Sequence, residues 1–263
     1  AFRHGDSCRR VVSREMTYTS RSMQLNIDCR PADIADGMDA RGVVCLPNAV
    51  SEDWLAEARD EVRRYLAEHG ERNSLVRSPS TPALAEMISD SRVLRLLTDI
   101  IRTRLPEAKA DAELLDGAVR IIAGPHEEGD AWWFHYDASA ITVIVPIFIP
   151  DAGRGTSGEL VGLFNRRPFR RFAISNVVGK AFSQSGFYRR RLLRRVGKPG
   201  FGQVVDMTPG DMYLLWGYRS LHANMPCRSG ALRVTLLMHF GRMHPGSRVM
   251  SAAVRAQDMM RTG

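Results

Sequence analysis

Apolar residues recur at helical spacing in the first half of the chain and in short β-type runs in the second. Trp54, Leu55, Ala58, Val62 and Leu66 follow the three-to-four-residue rhythm of one helix face. Ser51 stands where an N-cap belongs, and Glu52 and Asp53 suit the first turn, so the pattern predicts a helix from residue 51 to about His69. A second stripe (Leu84, Met87, Ile88, Leu94, Leu97, Ile101) predicts a helix from Pro82 to about Leu105. Ahead of both, GVVCLPN (42–48) reads as a short strand. After residue 115 the texture changes to apolar runs broken by Gly, Pro and Asp, at 118–124, 131–137, 140–148, 158–164, 202–207, 211–217 and 231–240. Helices followed by about seven strands at hairpin spacing predict a mainly β barrel or sandwich with flanking helices. Residues 1–30 show neither period and are expected to form a poorly ordered tail. The rest, 31–263, reads as a single domain with a basic insertion at about 165–200.

Composition bounds the class without naming it. Of 263 residues, 44% are apolar and 25% charged, the balance of a soluble globular chain able to bury a core. The longest apolar run, 140–150, carries prolines and is too short to span a bilayer. No N-terminal segment has the apolar centre of a signal peptide. The four cysteines (Cys8, Cys29, Cys45, Cys227) lack CxxC spacing, and are expected to be reduced thiols in a cytoplasmic protein. The net charge of +8 is local in origin: residues 160–205 hold eleven Lys or Arg and no acid, leaving 26 basic against 29 acidic residues elsewhere. That distribution argues against a general nucleic-acid surface.

The candidate chemistry begins in WWFHYD (132–137). His135 and Asp137 are two apart, so on a strand they point to one face. One HxD pair can equally be a core histidine beside a turn aspartate. A PGD turn at 209–211 leads into an apolar strand followed by His222, and eleven residues later Arg233 sits inside the last long strand. A cation there is costly unless something anionic meets it. Two histidines and one carboxylate can occupy one face of an octahedral metal and leave three positions open, as in the facial triad of non-haem Fe(II) oxygenases.

The order HxD, a histidine about ninety residues on, and an arginine eleven further resembles the phytanoyl-CoA dioxygenase-like group of Fe(II)/2-oxoglutarate oxygenases over about residues 40–242. That resemblance implies a double-stranded β-helix (jelly-roll, cupin-like) core. It implies that His135, Asp137 and His222 hold Fe(II), and that Arg233 grips the distal carboxylate of 2-oxoglutarate. The implied reaction consumes O₂ and 2-oxoglutarate, releases succinate and CO₂, and oxidises a substrate C–H bond. Because Asp137 is present, hydroxylation is favoured over halogenation.

Other residues are placed by strand geometry. Thr235 shares a face with Arg233 and is expected, ahead of Thr142, to reach the oxo acid with its hydroxyl. Arg120 is read either as a cavity residue touching cosubstrate or as an outward strand arginine. Six residues at ~3.3 Å put His239 roughly 20 Å along the strand from Arg233, which predicts a core or rim role outside the cluster. His126, beside Glu127 and Glu128, reads as a solvated loop residue. Trp132 and Trp133 must point opposite ways, and Trp133, on the face of His135, is the candidate for burial there and for substrate contact. In the basic segment, Arg166, Arg167, Arg170 and Arg190 are candidates for a carboxylate or phosphate on a small-molecule substrate, such as a natural-product intermediate. Three rivals remain: a lipid or acyl-thioester hydroxylase at a membrane surface, a nucleic-acid-modifying oxygenase, and a non-catalytic cupin-like metal-binding protein.

Overall fold

The computed structural model describes residues 25–106, 110–124, 131–169, 194–195 and 201–243. Its elements run α1 (Pro31–Arg41), β1 (Val43–Leu46), α2 (Glu52–His69), β2 (Ser74–Arg77), α3 (Pro82–Ser89), α4 (Ser91–Arg102), β3 (Ala110–Ile122), β4 (Ser139–Phe148), β5 (Leu160–Leu163), β6 (Gln203–Val205), β7 (Met212–Leu215), β8 (Leu221–Asn224) and β9 (Arg233–Met243). Six strands form one antiparallel sheet in the order β1-β7-β4-β9-β3-β2, and three form a second in the order β6-β5-β8. This is the double-stranded β-helix. Among the described residues, no helix is long and apolar enough to cross a membrane.

Alternation along the strands divides the two faces of the large sheet. Val143, Val145 and Ile147 of β4, and Val234, Leu236 and Met238 of β9, face the helices and pack with Trp54, Leu97 and Ile101. Burying each such aliphatic side chain contributes roughly 1.5–3 kcal/mol. The opposite face, with Ile144, Tyr213 and Leu215, packs across to Leu160 of the small sheet. Arg120, Thr142, Arg233, Thr235 and His239 belong to that inner face, paired across strands as Arg120↔Thr235 and Thr142↔His239.

The first predicted helix forms as expected, with the Ser51 hydroxyl accepting from the Trp54 amide. The second is two helices, because Asp90 leaves the helical conformation (φ −62°, ψ 119°) and accepts from the amides of Arg92 and Val93. At the start of α3 the buried Glu61 carboxylate accepts from the Ala83 and Leu84 amides, a cap supplied from another helix. Helix α1 and strand β2 lack a strong pattern and were not foreseen. Within the expected tail, Leu25 is buried and bridges to Val50, while residues 1–24 lie outside the described residues.

Candidate metal centre

The segment expected to be a strand at 131–137 is instead pinned at two points. His135 exchanges backbone hydrogen bonds with His222, each 3.0 Å, and the Asp137 amide donates to the Gly217 carbonyl at 3.1 Å. Trp132, at φ +61°, turns the chain out of the extended conformation. The alternation argument therefore fails for the tryptophans. Trp133 is 51% exposed rather than buried, and Phe134 is the residue that packs, against Val161, Leu221 and Ala223 on the outer face of the small sheet. His135 thus enters beside β8 and Asp137 beside the end of β7.

The candidate ligand atoms of His135, Asp137 and His222 lie within 4.8 Å of one another. Nε2 of His135 is 3.4 Å from Oδ1 of Asp137, and Nε2 of His222 is 3.4 Å from Oδ2. Each imidazole places its other nitrogen against a carbonyl: Nδ1 of His135 is 2.8 Å from the Trp133 oxygen, and Nδ1 of His222 is 3.1 Å from that of Ser220. A carbonyl only accepts, so both rings carry their proton on Nδ1 and aim an Nε2 lone pair inward. Burial pushes His222 down to about 4, against the opposing pull of Asp137, so its imidazole is neutral at neutral pH. Burial would raise Asp137, but the surrounding His222, His135 and His239 outweigh it and hold the carboxyl well below its ordinary range. One carboxylate and two neutral imidazoles are a donor set for a borderline divalent ion.

Two neighbours fix Asp137. The Thr142 hydroxyl donates to Oδ2, so Thr142, the lesser of the two hydroxyls considered for the oxo acid, orients the carboxylate instead. Gly217 lies so close that an added Cβ would stand 2.6 Å from Oδ2 and would collide with the Thr142 hydroxyl. Gly217→Ala must therefore displace the carboxylate. It is expected to weaken divalent-metal binding by roughly 10–100-fold, the range for loss of an orienting partner, measured by metal titration. Unchanged affinity would show that Asp137 is not held by this contact.

The second feature is Arg233, 1% exposed. Nη2 donates to Oδ1 of Asn224 at 3.3 Å, while Nε and Nη1 are buried and have no hydrogen-bond partner among the described residues. Burial lowers its pKa to about 10, with Arg120 pushing the same way against the opposing pull of Cys227 and Glu159, and it remains charged at neutral pH. A buried cation with two unsatisfied donors calls for an anion. His222 and Asn224 are two apart on β8 and share a face, so the guanidinium's partner stands roughly 7 Å along the strand from the ligand histidine. Gly158, at φ +73°, gives Arg233 its room, since a Cβ there would sit 2.6 Å from Nε. Arg120 and the buried Thr235 lie on the same face beside it.

Strand spacing misplaced His239. It is roughly 20 Å from Arg233 along β9, but the histidine–aspartate cluster lies between them, and Nε2 of His239 is 3.8 Å from Oδ1 of Asp137. Arg167 is also placed differently. It is buried, stacked over Tyr136 at 3.9 Å and Tyr218 at 4.4 Å, and its Nε donates to the Tyr218 carbonyl. Tyr136 lies between two of the candidate ligands, so this guanidinium braces the loop instead of waiting for substrate. Arg166 is exposed, whereas Arg170, Arg190 and His126 lie outside the described residues. Sequence reasoning missed Asn224, Gly158 and Gly217; only Asn224 left a signal, the HxN spacing that puts it on the face of His222.

No family model matches the chain, and no curated protein matches it. Solved structures do match in fold. HygX from Streptomyces hygroscopicus, with nickel and 2-oxoglutarate bound, superposes with a TM-score of 0.53 at 14% identity, over 78% of this chain and 84% of that one. A prolyl-4-hydroxylase from Pseudomonas putida gives 0.51 at 12% identity, over 81% and 98%. A Trichoplax adhaerens prolyl hydroxylase, in complex with a hypoxia inducible factor oxygen degradation domain peptide fragment, gives 0.50 at 11% identity, over 81% and 89%.

Proposed function

We propose that this protein is an Fe(II)/2-oxoglutarate-dependent dioxygenase of the phytanoyl-CoA dioxygenase-like group, hydroxylating an unactivated C–H of a small metabolite. The observation that carries the reading is the pairing of a metal-ligating triad with a buried arginine that reaches Asn224, two residues from His222 on β8, and whose Nε and Nη1 find no hydrogen-bond partner among the described residues. The residues fit the groups. His135, Asp137 and His222 would hold Fe(II), while Arg233, with Thr235 and Arg120 beside it, would take the distal carboxylate of 2-oxoglutarate. A five-carbon dicarboxylate suits the strand step between His222 and Asn224. When bound, the metal and 2-oxo acid supply the chemistry by which O₂ yields succinate, CO₂ and an oxidised substrate.

This chain's own residues prepare that chemistry in three ways. The carbonyls of Trp133 and Ser220 fix the two imidazole tautomers. Thr142 and Gly217 orient Asp137. Asn224 and Gly158 hold Arg233 in place. An anionic substrate such as a natural-product intermediate is supported by the excess of arginine between 160 and 205, with Arg166 at the surface, and an aromatic contact by the exposed Trp133 beside His135.

The test is 2-oxoglutarate binding measured anaerobically with and without Fe(II), followed by succinate formation on admitting O₂. The reading expects binding that requires the metal and succinate that disappears with a chelator. Metal binding without 2-oxoglutarate binding would favour the non-catalytic cupin-like rival.

A further inference from the structure

We propose that Asp39 of α1 is a positioning residue for the metal centre, acting through the turn at 216–220 that holds two of the three ligands. The proposal rests on the metal reading above and goes beyond the contacts that the ligands themselves make. The turn is closed by the Trp216 carbonyl, which accepts from the amides of Arg219 at 2.9 Å and Ser220 at 3.0 Å. Two of its other carbonyls face the metal site. That of Gly217 accepts from the Asp137 amide at 3.1 Å, and that of Ser220 stands 3.1 Å from Nδ1 of His222. A shift of this one turn therefore moves Asp137 and the His222 ring together.

The far side of the same turn is tied to α1. Oδ1 of Asp39 accepts from Nε1 of the buried Trp216 at 3.1 Å and from Nη1 of Arg219, so one carboxylate oxygen joins the first residue of the turn to the fourth. Oδ2 accepts from Nε of Arg104 at 2.6 Å, which fixes the plane of the carboxylate. Burial would raise the Asp39 carboxyl, but Arg104 and Arg219 outweigh it and keep it ionised at neutral pH. Its bonds to the two guanidiniums are therefore charge-assisted, the stronger kind. Asn165 adds a second tie between the same two elements. Its side-chain amide donates to the carbonyls of Met38 at 2.7 Å and Asp39 at 3.0 Å, and its backbone amide donates to the Ser220 hydroxyl at 3.3 Å.

The Asp39 carboxylate serves the turn more than the helix. Helix α1 has its own support, since Ile34, Ala35 and Met38 are buried in the core and Arg104 also donates to Asp36. Loss of the carboxylate leaves α1 docked and releases Trp216 and Arg219, with the Gly217 and Ser220 carbonyls that depend on them.

The test is Co(II) binding to the full chain, with affinity read by competition with a chelator and ligand geometry by electron paramagnetic resonance. It compares the parent, Asp39→Ala, Arg219→Met, the double variant and Glu61→Gln. Each single variant at the clamp should hold Co(II) about tenfold more weakly, the low end of the range for orienting partners because Asp39 acts through the turn. The Co(II) spectrum should change with it. The double variant should fall well short of the hundredfold loss that independent effects would give. Glu61→Gln weakens a different buried carboxylate, the cap on α3, and should lower the melting temperature while keeping parental Co(II) affinity. Parental affinity and spectrum in both single variants would overturn the proposal. So would a hundredfold loss in the double variant, or a loss in Glu61→Gln equal to that in Asp39→Ala. Asp137→Ala separates these failures from failure of the metal reading: if it binds Co(II) as the parent does, the metal lies elsewhere and Asp39 positions nothing.

Discussion

The Asp137→Ala variant is expected to lose Fe(II)-dependent succinate formation and to bind divalent metal far more weakly than the parent chain. Outer-shell partners of metal ligands typically contribute about 10–100-fold in affinity, so removal of the central anionic ligand should exceed roughly 100-fold. The effect is local, because the amide of residue 137 keeps its bond to the Gly217 carbonyl in the variant and His135 keeps its bridge to His222. What disappears is the charge that balances the cation, and the oxygen that stands 3.4 Å from each imidazole. Folding should survive, as read by an unfolding transition of ordinary cooperativity. Normal turnover in this variant would remove Asp137 from the metal site and with it the triad.

The second large effect concerns Arg233, where function and stability should separate. Arg233→Met removes a cation whose Nε and Nη1 are buried without hydrogen-bond partners among the described residues, so the metal-free variant should be as stable as the parent or more so. Its 2-oxoglutarate requirement should rise about 100-fold or more, since truncating one member of a buried charge pair costs on the order of 2–5 kcal/mol and each 1.4 kcal/mol is tenfold. Arg233→Lys should recover little, because one ammonium cannot present two parallel donors. A structural arginine predicts the reverse: a fall in melting temperature with an unchanged requirement for 2-oxoglutarate.

Much of this site was readable because its residues are costly anywhere else. Arg233 in an apolar strand and His222 beyond the PGD turn each break a local rule, and together with HxD they narrow the chemistry sharply. The β period also assigned Arg233, Thr235 and His239 to one face correctly. What failed was the inference from distance: His239 was measured against Arg233, while the centre that matters is Asp137, reached from the other end of the strand. The tryptophans failed for a different reason. A single positive φ at Trp132 ends the alternation, and nothing local in WWFHYD announces it. Gly158 and Gly217 were illegible because their need for hydrogen in place of a side chain comes from Arg233 and Asp137, distant in sequence. The division of α3 from α4 turns on one cap at Asp90, which an unbroken apolar stripe conceals.

The central claim is that one dicarboxylate links the His135–Asp137–His222 cluster to Arg233. It is tested most directly by a crystal structure of the protein grown anaerobically with Fe(II) and 2-oxoglutarate. The account predicts iron on those three residues, the oxo-acid end of 2-oxoglutarate on the iron, and its far carboxylate on Nε and Nη1 of Arg233. Iron at these residues with the far carboxylate elsewhere, or metal bound away from Asp137, would contradict it.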